Sequence, residues 1–175
     1  SAGSTFTGWS GGGCSGTGTC EVTMDTARAV TATFSQVTSR LSVNKVGRGS
    51  GTVTSSPAGI DCGSICSADF SYKTIVTLTA SAAAGSTFTG WLGGSCSGTG
   101  TCQVTMDGAR SVSAVFTIDT YSLTVSKAGT GSGTVSSSPA GINCGADCSE
   151  TYNYGTLVSL TATAATGSTF TSWSG

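Results

Sequence analysis

The sequence Gly-Ser-Thr-Phe-Thr-Gly-Trp stands at Gly3–Trp9 and again at Gly85–Trp91, and Gly-Ser-Thr-Phe-Thr-Ser-Trp follows at Gly167–Trp173, so the three copies are equally spaced. A fixed period of that length marks a tandem array of small domains, each a single folding unit stacked on its neighbours. The repeat boundary follows from the strand pattern. Val30-Thr-Ala-Thr-Phe34 closes one alternating segment and Leu41-Ser-Val-Asn-Lys45 opens the next, and the same junction recurs at Val112–Phe116 and Tyr121–Lys127. Ser35–Arg40 and Thr117–Thr120 read as polar connectors of four to six residues. The expected division is 1–36 as the C-terminal part of one repeat, 39–117 as a complete central repeat and 120–175 as the N-terminal part of the next.

Within the central repeat the alternation of apolar and hydroxyl residues predicts six strands: Leu41–Val46, Thr52–Ser56, Ile75–Ala80, Thr87–Trp91, Cys102–Met106 and Ser111–Phe116. The first two are expected to form a hairpin across Gly47-Arg-Gly-Ser-Gly51, with Pro57 ending the second and a long knuckle over Ala58–Tyr72. No segment reads as a long helix. The fold class is all-β: small β-sandwich-like or β-meander domains of about 82 residues, stapled by disulfides and arranged as a linear array. Only 9% of residues are charged, against about 25% in an ordinary soluble domain. Ser and Thr fill about a third of the chain, which places hydroxyls on the outward faces of strands.

A domain of this size buries a thin core, so its cysteines matter. Cys14, Cys20, Cys62 and Cys66 recur one period on as Cys96, Cys102, Cys144 and Cys148. An even number at fixed spacing in Gly-rich surroundings predicts structural disulfides and an oxidising, extracellular or cell-surface compartment. Local pairing is expected, because the intervening residues are small enough to fold the chain back. A four-cysteine metal site is the rival. Its Cys-x3-Cys spacing suits zinc, but Cys-x5-Cys suits it less and the chain has no His.

No catalytic, cofactor-binding or metal residues are assigned. His, the usual general base, is missing, and nothing in the sequence brings Asp61, Asp69 and Asp107 together. These read as turn residues, with a calcium site around Asp61 or Asp147 as the lesser option. Asp107 and Arg110 read as a surface pair. Lys45 and Lys127, near Asn44 or Asp119, are weak candidates for isopeptide crosslinks. The recurring aromatics Phe6, Trp9, Phe88, Trp91, Phe170 and Trp173 are expected to plug each core, a sugar-stacking platform being the alternative. Gly90 suggests a bulge that re-aims the Trp91 ring. A net charge of −1 with 7 Lys and Arg argues against nucleic acid, and no apolar run reaches the ~20 residues of a membrane span.

The run from Tyr121-Ser-Leu-Thr-Val-Ser-Lys through Gly-Thr-Gly-Ser-Gly-Thr-Val to Ser-Ser-Pro-Ala-Gly-Ile-Asn-Cys-Gly145, with the Gly-Ser-Thr-Phe-Thr-Gly-Trp and Val-Thr-Met-Asp segments, resembles divergent internalin-type B-repeat modules of bacterial surface and secreted proteins. The resemblance covers essentially the whole chain and implies non-catalytic, β-rich spacers in multi-repeat extracellular proteins. The expected function is a structural segment of an extracellular filament or cell-surface stalk. The alternative is an adhesive module that binds a glycan or another surface through the Trp and cysteine-loop faces. The expected partner is the protein itself, as head-to-tail repeats of a long covalent array or as subunits completed by strand exchange, the covalent array being preferred.

Overall fold

The computed structural model describes residues 3–175, so the first two residues of the expected 1–36 segment lie outside the described residues. The chain forms β1 (Ser4–Gly11), β2 (Cys14–Gly16) and β3 (Thr31–Gln36), then β4 (Thr38–Val46), β5 (Gly51–Ser56), β6 (Ser67–Ser71), β7 (Ile75–Ala82), β8 (Ser86–Leu92), β9 (Cys102–Thr105) and β10 (Arg110–Ile118), and finally β11 (Thr120–Thr124), β12 (Gly133–Ser138), β13 (Ser149–Asn153) and β14 (Ser159–Ala164). No helix occurs among the described residues.

The seven strands from β4 to β10 build a two-sheet sandwich. One sheet has the order β6-β4-β10-β8 and the other β5-β7-β9. Alternation decides which side chains meet between them. Leu41 and Val43 of β4, Val112, Ala114 and Phe116 of β10, Val53 of β5, Val76 and Leu78 of β7, and Val104 of β9 all point inward and are buried. Between them stand exposed or half-buried hydroxyls such as Thr52, Thr54, Thr77, Thr79, Ser111 and Ser113. Because neighbouring strands in each sheet are not consecutive in sequence, the sandwich form holds and the meander form does not.

Three details differ from the sequence reading. First, the Leu41–Val46 and Thr52–Ser56 strands are not a hairpin. β4 pairs with β6 and β10, and β5 pairs with β7. The glycine turn instead carries the chain from one sheet to the other. Gly47 takes φ +101, and a Cβ on Gly51 would meet the Phe116 ring. Second, the knuckle segment contains a seventh strand, β6. Its sequence, Ser-Ala-Asp-Phe-Ser, puts only Phe70 deep in the core and carries an acidic residue, so its period-2 signal is faint. Third, the connectors 35–40 and 117–120 are almost wholly strand. Only Val37 lies between β3 and β4, and only Asp119 between β10 and β11.

β10 pairs with β4 in parallel, Arg110–Val115 against Leu41–Val46. It pairs with β8 antiparallel. The first and last strands of the sandwich therefore lie side by side at the middle of the same sheet.

Candidate functional site

The recurring aromatic motif occupies β8. Residues three apart on a regular strand point to opposite faces, so Phe88 and Trp91 could not both enter the core. A bulge reverses this. Phe88 faces Phe116 and Gly90 faces Val115, which leaves Thr89 as the extra residue. Gly90 takes φ +149, and a Cβ there would come within 3.1 Å of the Gly98 carbonyl oxygen. Both rings then share the inner face, 5.0 Å apart at an interplanar angle of 65°. Trp91 is 2% exposed and its Nε1–H donates to Gly100 O at 2.7 Å. The first copy repeats the arrangement: Gly8 has φ +151, Phe6 and Trp9 lie 5.1 Å apart, and Trp9 Nε1–H donates to Gly18 O. In the third copy Phe170 and Trp173 keep their 5.0 Å pairing with Ser172 in the glycine's place, but both rings are about half exposed. Buried as it is, Trp91 offers no face to a sugar.

All eight cysteines are disulfide-bonded, Cys14–Cys20, Cys62–Cys66, Cys96–Cys102 and Cys144–Cys148. In that state they cannot serve as metal ligands. Their placement explains their value. Cys62 N–H donates to Val53 O on β5, and Val43 N–H on β4 donates to Cys66 O. The Cys62–Cys66 bond thus ties the two sheets together along one open side of the sandwich. On the opposite side Cys102 begins β9, while the loop after Cys96 receives the Trp91 backbone N–H at Gly98 O. The Cys96–Cys102 bond ties the sheets there. Each knuckle also pairs an otherwise bare strand edge: Ser55 N–H donates to Ile60 O, and Thr54 bridges Asp61. Cys144–Cys148 repeats the first staple on Val135 and Val125.

The joint between repeats is built from a glycine, a linking residue and a tyrosine that recur with the same period. Val37 N–H donates to Gly3 O at 2.9 Å, and Tyr72 N–H donates to Val37 O at 2.9 Å. One repeat later, Asp119 N–H donates to Gly85 O at 2.9 Å, and Tyr154 N–H donates to Asp119 O at 2.8 Å. Both backbone groups of the single linking residue are thereby held, one by the preceding repeat and one by the following. The tyrosine ring covers the glycine. A Cβ on Gly3 would lie 3.0 Å from Tyr72 Cδ1, and one on Gly85 would fall inside the Tyr154 ring. Both glycines also have positive φ, +94 and +71. In the second joint Thr87 Oγ1–H donates to Asp119 Oδ1 at 2.6 Å.

The remaining candidates are spread apart. Lys45 Nζ donates to Gly51 O and Lys127 Nζ to Gly133 O, so each lysine caps the turn between sheets, and Asn44 Nδ2 donates to Ser111 Oγ. Asp147 Oδ1 accepts from Ser149 N–H. Among the described residues no three metal-capable side chains converge. Asp107 pairs with Arg110, and Asp25 with Arg28, on the surface. The guanidinium hydrogen bond from Arg110 holds the Asp107 carboxyl below its ordinary value, and Arg28 does the same for Asp25.

Sequence reasoning missed Tyr72 and Tyr154. Their signal was a constant spacing from the first glycine of each aromatic motif, since Tyr72 stands as far from Gly3 as Tyr154 does from Gly85. No curated protein and no solved structure matches the chain. The family model described as a divergent InlB B-repeat domain matches residues 1–38, 41–120 and 121–175, which together take in nearly every residue. With that coverage, an all-β fold and disulfide-stapled repeats, the chain belongs to the divergent InlB B-repeat domain family.

Proposed function

We propose that the chain is a stiff, non-catalytic spacer: a stretch of tandem domains in an extracellular bacterial filament or surface stalk. The observation that carries this reading is the one-residue joint, whose N–H and C=O are bound on either side and whose glycine is covered by a tyrosine of the next repeat. A linker without free backbone torsions transmits orientation from one domain to the next. Disulfides and family membership support an extracellular or surface setting.

The protein's principal partner in this reading is its own repeat. In the adhesive alternative the central repeat offers a glycan its uncharged hydroxyl faces and outer cysteine loops, since Trp91 is enclosed. Electron microscopy of native material tests the choice. Filaments or stalks with an axial repeat of one domain support the spacer. Compact particles that bind a glycan array support the adhesive module.

A further inference from the structure

We propose that each repeat is a mechanical clamp loaded in shear, an inference that rests on the spacer reading and adds to it a resistance to tension. The path of the force is continuous. β3 passes through Val37 into β4, and β10 passes through Asp119 into β11. Tension along the array therefore enters the central repeat at Thr38 and leaves it at Ile118. These two strands are direct neighbours, paired in parallel over Leu41–Val46 and Arg110–Val115. In a parallel pair the start of one strand and the end of the other lie at opposite ends of the ladder. Pulling them apart slides one strand along the other, so the evenly spaced bonds share the load and must yield together. A pair pulled from a single end opens one bond at a time.

The surroundings protect this ladder. β4 and β10 are interior strands: β6 pairs with Thr38–Ser42 of β4, and β8 pairs with Ser113–Ile118 of β10. Their inward residues Leu41, Val43, Val112 and Ala114 are no more than 3% exposed. On the outer face Asn44 Nδ2 donates to Ser111 Oγ across the same two strands at 3.2 Å. Neither disulfide crosses the β4–β10 pairing, so the staples hold the flanks of the sandwich and leave the shear ladder as the element that resists.

The test is single-molecule pulling on the oxidised 175-residue chain in two directions. In the first, handles sit at the two termini. In the second, one handle is moved to a click-reactive residue replacing exposed Arg48. That turn lies beside the end of β10, because Gly49 N–H donates to Phe116 O. The second geometry pulls the neighbouring ends of β4 and β10 and unzips them. The expected result is a several-fold higher unfolding force between the termini than from residue 48, with equal melting temperatures. The terminal pull should release the central repeat in one step on the order of 200 Å, at ~3.4 Å per residue freed with the disulfide loops closed. Equal forces in the two directions overturn the clamp and leave the spacer reading standing, since rigidity of the joint is measured separately. A direction-dependent force combined with a floppy joint supports the clamp and overturns the spacer.

Discussion

The Tyr154 ring lies over the Cα of Gly85, occupying the space where any other residue would place its side chain. The same contact joins Tyr72 to Gly3 one repeat earlier. A glycine that begins the most conspicuous motif of the sequence thus serves the next domain as much as its own.

Gly85→Val is expected to break the joint at two levels. A β-branched residue is strained at φ +71 by about 1–2 kcal/mol, and its side chain displaces Tyr154. The central core does not involve either group, so its melting should shift by only a few degrees. Small-angle scattering should show a broader distribution of chain dimensions. Tyr154→Ala should loosen the joint without backbone strain, whereas Gly108→Ala, with open space at its Cβ position, should change stability by less than about 0.5 kcal/mol.

Trp91→Ala removes a buried indole and leaves Gly100 O without its donor. The expected loss is about 3–5 kcal/mol by chemical denaturation, enough to unfold a thin-cored domain at moderate temperature. Gly90→Val should also destabilise, by forcing the bulge to adopt a φ that the new residue disfavours and crowding Gly98 O. A cooperative transition in Trp91→Ala within about 1 kcal/mol of the parent, the size of an ordinary substitution, would show that the indole is not a core element.

Reduction should weaken the sandwich from both open sides. Loop closure gives about 2 kcal/mol for each short disulfide, so losing Cys62–Cys66 and Cys96–Cys102 should cost roughly 4 kcal/mol. Amide exchange should accelerate first at Cys62 and Trp91, whose N–H groups carry the bonds between the stapled loops and the strands. Exchange should stay slow at Val112 and Val43 until global unfolding.

Acid weakens the surface pair of Asp107 and Arg110. The Arg110 hydrogen bond lowers the Asp107 pKa in the folded state. Its contribution is therefore present above the ordinary aspartate value and is lost as pH falls through the lowered folded value. Arg110→Met should return the Asp107 titration, followed by carboxyl NMR shifts, to the ordinary range. The melting temperature near pH 7 should hardly move, because the pair is on the surface.

Much of the fold was legible because the strands alternate strongly: Val112, Ala114 and Phe116 face in, and Ser111, Ser113 and Thr117 face out. The cysteine spacing likewise pointed to local pairs. Pairing between strands was not legible. Leu41–Val46 and Thr52–Ser56 flank a glycine-rich turn, the usual mark of a hairpin, yet burial of Phe116 against Gly51 sends them to different sheets. The joint was hidden for a related reason. Val37 and Asp119 have no side-chain chemistry in common, since the bonds that both joints share use only their backbone groups, and the tyrosines that seal the joint stand most of a repeat away from their glycines.

The spacer stands or falls on successive repeats sharing one fixed orientation. Residual dipolar couplings from the oxidised chain in a weakly aligning medium measure this directly, by comparing amides of the β4–β10 ladder with those of β11 and β13, which pair antiparallel in the following repeat. The expected result is that one alignment tensor fits both sets. Separate tensors of clearly different magnitude would contradict a rigid joint and, with it, the spacer.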